Sequence, residues 1–200
     1  GGWVAGSLAT HDGACAALAQ DADAVVASVH YRRAPESPYP APNDDAYAAL
    51  VWVAEHAEAL AVDRARIAVA GDSAGAHLAI GCAIEGRERG GPAIAFQLLV
   101  YPVVEPAFDT ASYLAHASSP TLTRDDMIWY WRQYLPACAD DGSARAVPTR
   151  DALAGLPRAH VVVAERVEPP AEAGDAERHR GDEGDGTEDC GATCDRPESG

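Results

Sequence analysis

Apolar residues recur with helical spacing over residues 11–22, and again from Asp44 to about Leu60, where Tyr47, Leu50, Val51 and Ala54 fall on one face. Between these helices Ala24 to His30 is a short β-prone run that reads as a strand. The connection over 34–42 is proline-rich, which keeps it out of helix interiors and central strands. A second β-prone run, Ile67 to Ala70, leads into a helical pattern from Ala76 to Ile84. Further along come a strand from Ala93 to Val100, a loop and helix over 105–136, and a strand from Ala159 to Glu165. Strands alternating with helices predict an α/β fold with a mostly parallel sheet and helices on both faces. No internal repeat interrupts this order.

The pattern stops after Glu165. Residues 165–200 contain no aromatic residue, no Leu and no Ile, and their charges are mostly acidic. Such a segment buries too little apolar surface to offset its ordering entropy, so 166–200 reads as an acidic, disordered tail behind a domain spanning 1–165. The chain of 200 residues is long enough for one domain with a true core. Its formal net charge of −16, about half of it from the tail, argues against nucleic acid and anionic membranes as partners. No run approaches the roughly 18 apolar residues of a membrane span, and no basic-then-apolar leader is visible. Five cysteines make an odd set: Cys15 and Cys82 read as buried thiols, while Cys190 and Cys194 lack further neighbours at metal-ligand spacing. These features predict no metal, no cofactor and a reducing, cytoplasmic setting.

The candidate chemistry sits where the second strand meets its helix, at Gly71-Asp72-Ser73-Ala74-Gly75. Strand, one-residue corner and helix form the context of a nucleophile elbow, which lifts a serine Oγ above the sheet beside the free N–H groups of a helix N-terminus. The two glycines are expected to be steric necessities, since a Cβ at either flank of the corner would clash. The plain reading of the same residues is a Gly/Ser turn. Upstream, Gly1-Gly2-Trp3 is by itself equally a linker, but it stands where a backbone-donating loop would precede the elbow.

Four blocks in order carry a resemblance: Gly1-Gly2-Trp3-Val4-Ala5-Gly6-Ser7-Leu8; His30-Tyr31-Arg32-Arg33-Ala34-Pro35-Glu36 with Asp44 and Asp45; Gly71 to Gly75; and Pro120 to Met127 with Tyr134-Leu135-Pro136. Together they resemble the hormone-sensitive-lipase-like family of α/β-hydrolases, from residue 1 to about 165. The resemblance implies an α/β-hydrolase fold and a serine carboxylesterase acting on small esters of short to medium acyl chains. Ser73 would be the nucleophile, and the N–H groups of Gly1, Gly2 and Ala74 would form the oxyanion hole. Residues 105–136 would be a cap-like or pocket-lining insertion, whose Trp129, Tyr130, Trp131 and Tyr134 either line an acyl pocket or pack on the core. Glu36, Asp44 and Asp45 would be structural, tying the loop after a strand to the next helix.

The departures are as informative. The first residues of the family's His-Gly-Gly-Gly loop are not present, so the chain reads as a fragment, truncated at both ends. The position that presents the triad aspartate is Val167, and a one-residue slip would offer Glu168 instead. His179 is the only histidine in the chain order this fold requires for the base, although its surroundings read as solvated tail. His77, four residues past Ser73, reads as a packing residue of the helix. A frameshift near Arg166 would explain the loss of pattern. The expectation is a carboxylesterase impaired in its acid and base, with two alternatives: a non-catalytic binder on the same fold, or a degenerate gene product.

Overall fold

The computed structural model describes residues 1–163. Three parallel strands form the sheet in the order β1 (Ala68–Asp72), β2 (Phe96–Val100), β3 (Ala159–Val162). Ala68 pairs with Phe96, and Gln97 with Ala159. Each strand is short and apolar, as expected of a parallel sheet.

Among the described residues five α-helices accompany them: α1 (Leu8–Ala22), α2 (Ala41–Glu55), α3 (Ala74–Arg89), α4 (Ala111–Ala115) and α5 (Arg124–Tyr134). Capping chemistry sets their starts. Ser7 and Thr10 form a capping box, so α1 begins three residues before the apolar pattern of residues 11–22 does. Helix α2 likewise starts inside the proline-rich connection, because Pro42 lies in its first turn, where no N–H is needed. Thr123 and Asp126 box the start of α5, and Gly90 closes α3 in the left-handed region.

Helix α3 is the centre of the molecule. It packs on β1 and β2, with α2 against its flank. Residues from Ala76 to Gly86 are buried all round, including Leu78, Ile80 and Ile84. Ala76, Ala79, Ile80 and Ile84 meet Leu99 of β2, and Cys82 meets Tyr47, Leu50 and Ala54 of α2. A third cluster joins Trp3, Tyr39, Ala74 and Leu78 to Met127, Trp131 and Tyr134 of α5.

Two sequence expectations change. Ala24 to His30 forms no strand and joins no ladder among the described residues, and Val25 and Val29 stand exposed; β propensity alone does not make a strand, which needs a hydrogen-bonding neighbour. Cys15 is half-buried on α1, a helix without a single buried residue, whereas Cys82 is buried and its thiol pushed up to about 12 by that burial.

Candidate active site

Ser73 is the corner between β1 and α3, at φ 50° and ψ −114°. Its N–H donates to the Val100 carbonyl at 2.8 Å, which pins the corner to the end of β2, and its carbonyl accepts from His77 N–H at 3.1 Å. A non-glycine residue in that backbone region is strained, and the flanking ladder and helix over-determine it. Gly71 is required for the expected reason: a Cβ there would lie 2.3 Å from the Gly75 carbonyl carbon. Gly75 is not, because a Cβ on it meets nothing nearer than Asp72 Oδ1 at 3.9 Å. The crowding is one-sided, with the helix backbone at Gly75 filling the space beside Gly71.

The loop Gly1–Trp3 lies across from the corner. Gly2 and Trp3 are consecutive residues in the left-handed region, at φ 61° and 59°. The loop is closed by Val4 and Ala5 N–H donating to the Gly1 carbonyl, and held by Ala34 N–H donating to Trp3 at 3.1 Å. Trp3 is wholly buried, its indole parallel to the Tyr134 ring at 4.2 Å between centroids. Gly1, Gly2, Trp3 and Ser73 share one cavity of about 120 Å³ with Val103 from the segment after β2 and Leu122, Met127 and Tyr130 from the 105–136 insertion. The aromatic residues of 105–136 divide between two surroundings. Tyr130 lines the cavity, Trp131 and Tyr134 pack in the core, and Trp129 is exposed. Ala74 begins α3, at the helix end whose N–H groups lack intrahelical acceptors.

His77 is a core residue, in keeping with the packing role expected of it. Its ring is 0 % exposed, edge-on to Trp3, Trp131 and Tyr134. Nε2 lies 3.1 Å from the Ala146 carbonyl, which can only accept, so Nε2 carries the proton and Nδ1 is left without a partner. Burial lowers its pKa to about 4, so the ring is neutral at pH 7. Beside the elbow, His11 Nε2 stands 3.6 Å from Asp72 Oδ1, and both groups are well exposed. Tyr31 is shifted up first by burial and then by the charge of Asp72.

The charged residues around the site are structural ties. Arg32 grips Asp45 through Nε and Nη2, at 2.9 and 2.7 Å, which holds the Asp45 carboxyl below its ordinary range and joins the loop before α2 to the helix. Arg145 pairs with Asp44 at 2.7 Å. Glu36 is exposed. Glu168 and His179 lie outside the described residues, as do Val167, Cys190 and Cys194. Among the described residues no three His, Cys, Asp or Glu side chains gather as metal ligands, and no helix is long and apolar enough to cross a membrane. Sequence reasoning did not single out Val103, Leu122 and Met127. Met127, Tyr130, Trp131 and Tyr134 do fall at helical spacing, so the stripe was readable although its target was not.

Comparison with known proteins agrees with this geometry. A family model described as alpha/beta hydrolase fold matches residues 1–174. The chain is 44 % identical over 170 residues to carboxylesterase NlhH of Mycobacterium tuberculosis, covering 82 % of this chain and 53 % of that protein. It is 38 % identical over 157 residues to ethyl acetate hydrolase of Pseudomonas putida, covering 77 % and 49 %. The solved esterase of Pyrobaculum calidifontis superposes with a TM-score of 0.76 at 45 % identity, over 82 % of this chain and 55 % of the other. The chain therefore spans about half the length of the relatives it matches.

Proposed function

The chain belongs to the hormone-sensitive-lipase-like family of α/β-hydrolases, and from that premise we propose that it hydrolyses small carboxylic esters through an acyl-enzyme on Ser73. The observation that carries this reading is the shared cavity: Ser73 at a left-handed corner, with Gly1 and Gly2 lining the same space. Ser73 Oγ attacks the ester carbonyl as a base removes its proton. The N–H groups of Gly1, Gly2 and Ala74 bind the oxyanion of the tetrahedral intermediate, and its collapse expels the alcohol, which takes up the proton. Water then adds to the acyl-serine in the same way and frees the acid. A small, mostly apolar cavity walled by Leu122, Met127 and Tyr130 suits short acyl chains. We assign the base to His179 and the acid orienting it to Glu168.

One observation favours a second reading, a binder that keeps the pocket without the chemistry: the cavity has no imidazole among its described lining residues. Labelling of the full chain with a fluorophosphonate probe decides between them. Rapid labelling that is lost in Ser73→Ala and slowed by at least about a hundredfold in His179→Ala supports the hydrolase, since general-base help is worth roughly 10²–10⁴. A chain that melts cooperatively yet takes no label is the binder. A chain without a cooperative melt is a degenerate product.

A further inference from the structure

Helix α5 grips the Gly1–Trp3 loop on two sides. Tyr130 and Tyr134 are four residues apart, so they sit one turn apart on the same helix face. On the core side, Tyr134 lies flat on the Trp3 indole, and Trp131 tilts against it at 4.8 Å. On the cavity side, Tyr130 covers Gly2. A Cβ built on Gly2 would fall 2.1 Å from Cδ1, 2.4 Å from Cγ and 2.5 Å from Cε1 of that ring. The ring therefore rests where a side chain would be, and only glycine fits beneath it. Gly2 takes the left-handed region freely, but Trp3 beside it is strained there, a conformation that persists only where packing enforces it.

We propose that Tyr130 is a positioning residue for ester hydrolysis at Ser73: its ring is the platform that fixes Gly2, and with it the oxyanion donors, while Trp3 anchors the loop in the core. This rests on the hydrolase reading above. A side chain that merely walls the acyl pocket acts on substrate binding. A platform under the oxyanion loop acts where charge develops on the carbonyl oxygen, and is felt in kcat. Displacing reacting groups by about 1 Å costs on the order of a hundredfold in rate.

The test compares the full wild-type chain with Tyr130→Phe, Tyr130→Ala and Gly2→Ala, using p-nitrophenyl butyrate and its thiono counterpart, in which sulfur replaces the carbonyl oxygen. A formed oxyanion hole prefers oxygen, so the ratio of the two rates reports its integrity. Tyr130→Phe retains most of the oxygen preference that Tyr130→Ala loses, because ring atoms make the contact. Tyr130→Ala lowers kcat by about 10- to 100-fold with KM nearly unchanged, and the oxygen preference collapses. Gly2→Ala is as damaging alone but costs less in the Tyr130→Ala background, since the ring clash is gone and only the strain at its left-handed φ remains. Should Tyr130→Ala fail to melt cooperatively, Tyr130→Leu carries the same readouts. A folded Tyr130→Ala or Tyr130→Leu chain that keeps kcat and the oxygen preference, or that changes KM alone, overturns the platform while leaving hydrolysis standing. Absence of Ser73-dependent turnover in the wild-type chain overturns both.

Discussion

At the scale of single residues, the elbow depends on which atoms a side chain would displace. A Cβ on Gly71 would lie 2.3 to 2.6 Å from the backbone of Gly75 and Ala76, and neither can move without unwinding the start of α3. Gly71→Ala is therefore expected to cost about 3 kcal/mol, the upper end of ordinary overpacking. In a chain of this size that lowers the melting temperature by roughly 6–12 °C. A thermal melt checks it, and an unchanged melt would mean that the corner is looser than drawn. The Gly-x-Ser-x-Gly pattern announces both glycines alike. Only the fold separates them, because the clash depends on which way each Cα–H points at the corner.

At the scale of elements, one arginine joins the segment before the second 3₁₀ turn, Asp151–Leu153, to three helices. Arg145 Nη1 donates to Asp44 at 2.7 Å and reaches Glu85 at 3.4 Å, while Nε donates to the Tyr39 hydroxyl at 3.0 Å. Its carbonyl accepts from Asn43 Nδ2, and Asn43 Oδ1 accepts from the Tyr134 hydroxyl at 2.7 Å, so α2, α3 and α5 meet in one network. Glu85 is 5 % exposed, and without Arg145 it would keep only the solvent-facing Arg89. Arg145→Met should destabilise the chain by about 2–3 kcal/mol, less than a fully buried pair because Asp44 is half in water. Adding Glu85→Gln should recover part of that loss by removing the stranded charge. Urea denaturation of the two variants tests both statements. The helices themselves were legible from spacing and caps, whereas this network was not. Its partners are separated by 60 to 106 positions in the chain.

At the scale of the whole molecule, the aromatic core around His77 sets an acid limit on stability. His77 is neutral in the folded state because burial lowers its pKa from 6.5 to about 4. Unfolded, the ring binds a proton near pH 6.5, so between about 6.5 and 4 the unfolded chain holds more protons and stability rises with pH. The contribution is complete above pH 6.5 and is lost as pH falls toward 4, amounting to about 3 kcal/mol across the window. His77→Gln, which keeps an N–H for the Ala146 carbonyl, should flatten that slope in urea melts at pH 7, 5.5 and 4.5. A slope unchanged by the substitution would place the acid sensitivity elsewhere. Asp45, held low by Arg32, acts in a lower window, below the ordinary carboxylate range.

What the sequence determined by itself is what short-range geometry dictates: the helices α1, α2 and α3, the strands β1, β2 and β3, the corner at Ser73 and the need for Gly71. These follow from local spacing, since a strand running into a one-residue corner and a helix has few ways to be built. The tertiary structure alone decided which apolar residues face the cavity, that Tyr130 covers Gly2, that Gly75 has room, and that Ala24 to His30 finds no ladder partner among the described residues. Each of these depends on residues far apart in the chain meeting in space. Periodicity fixes which face of an element is apolar, but not which distant backbone that face will meet.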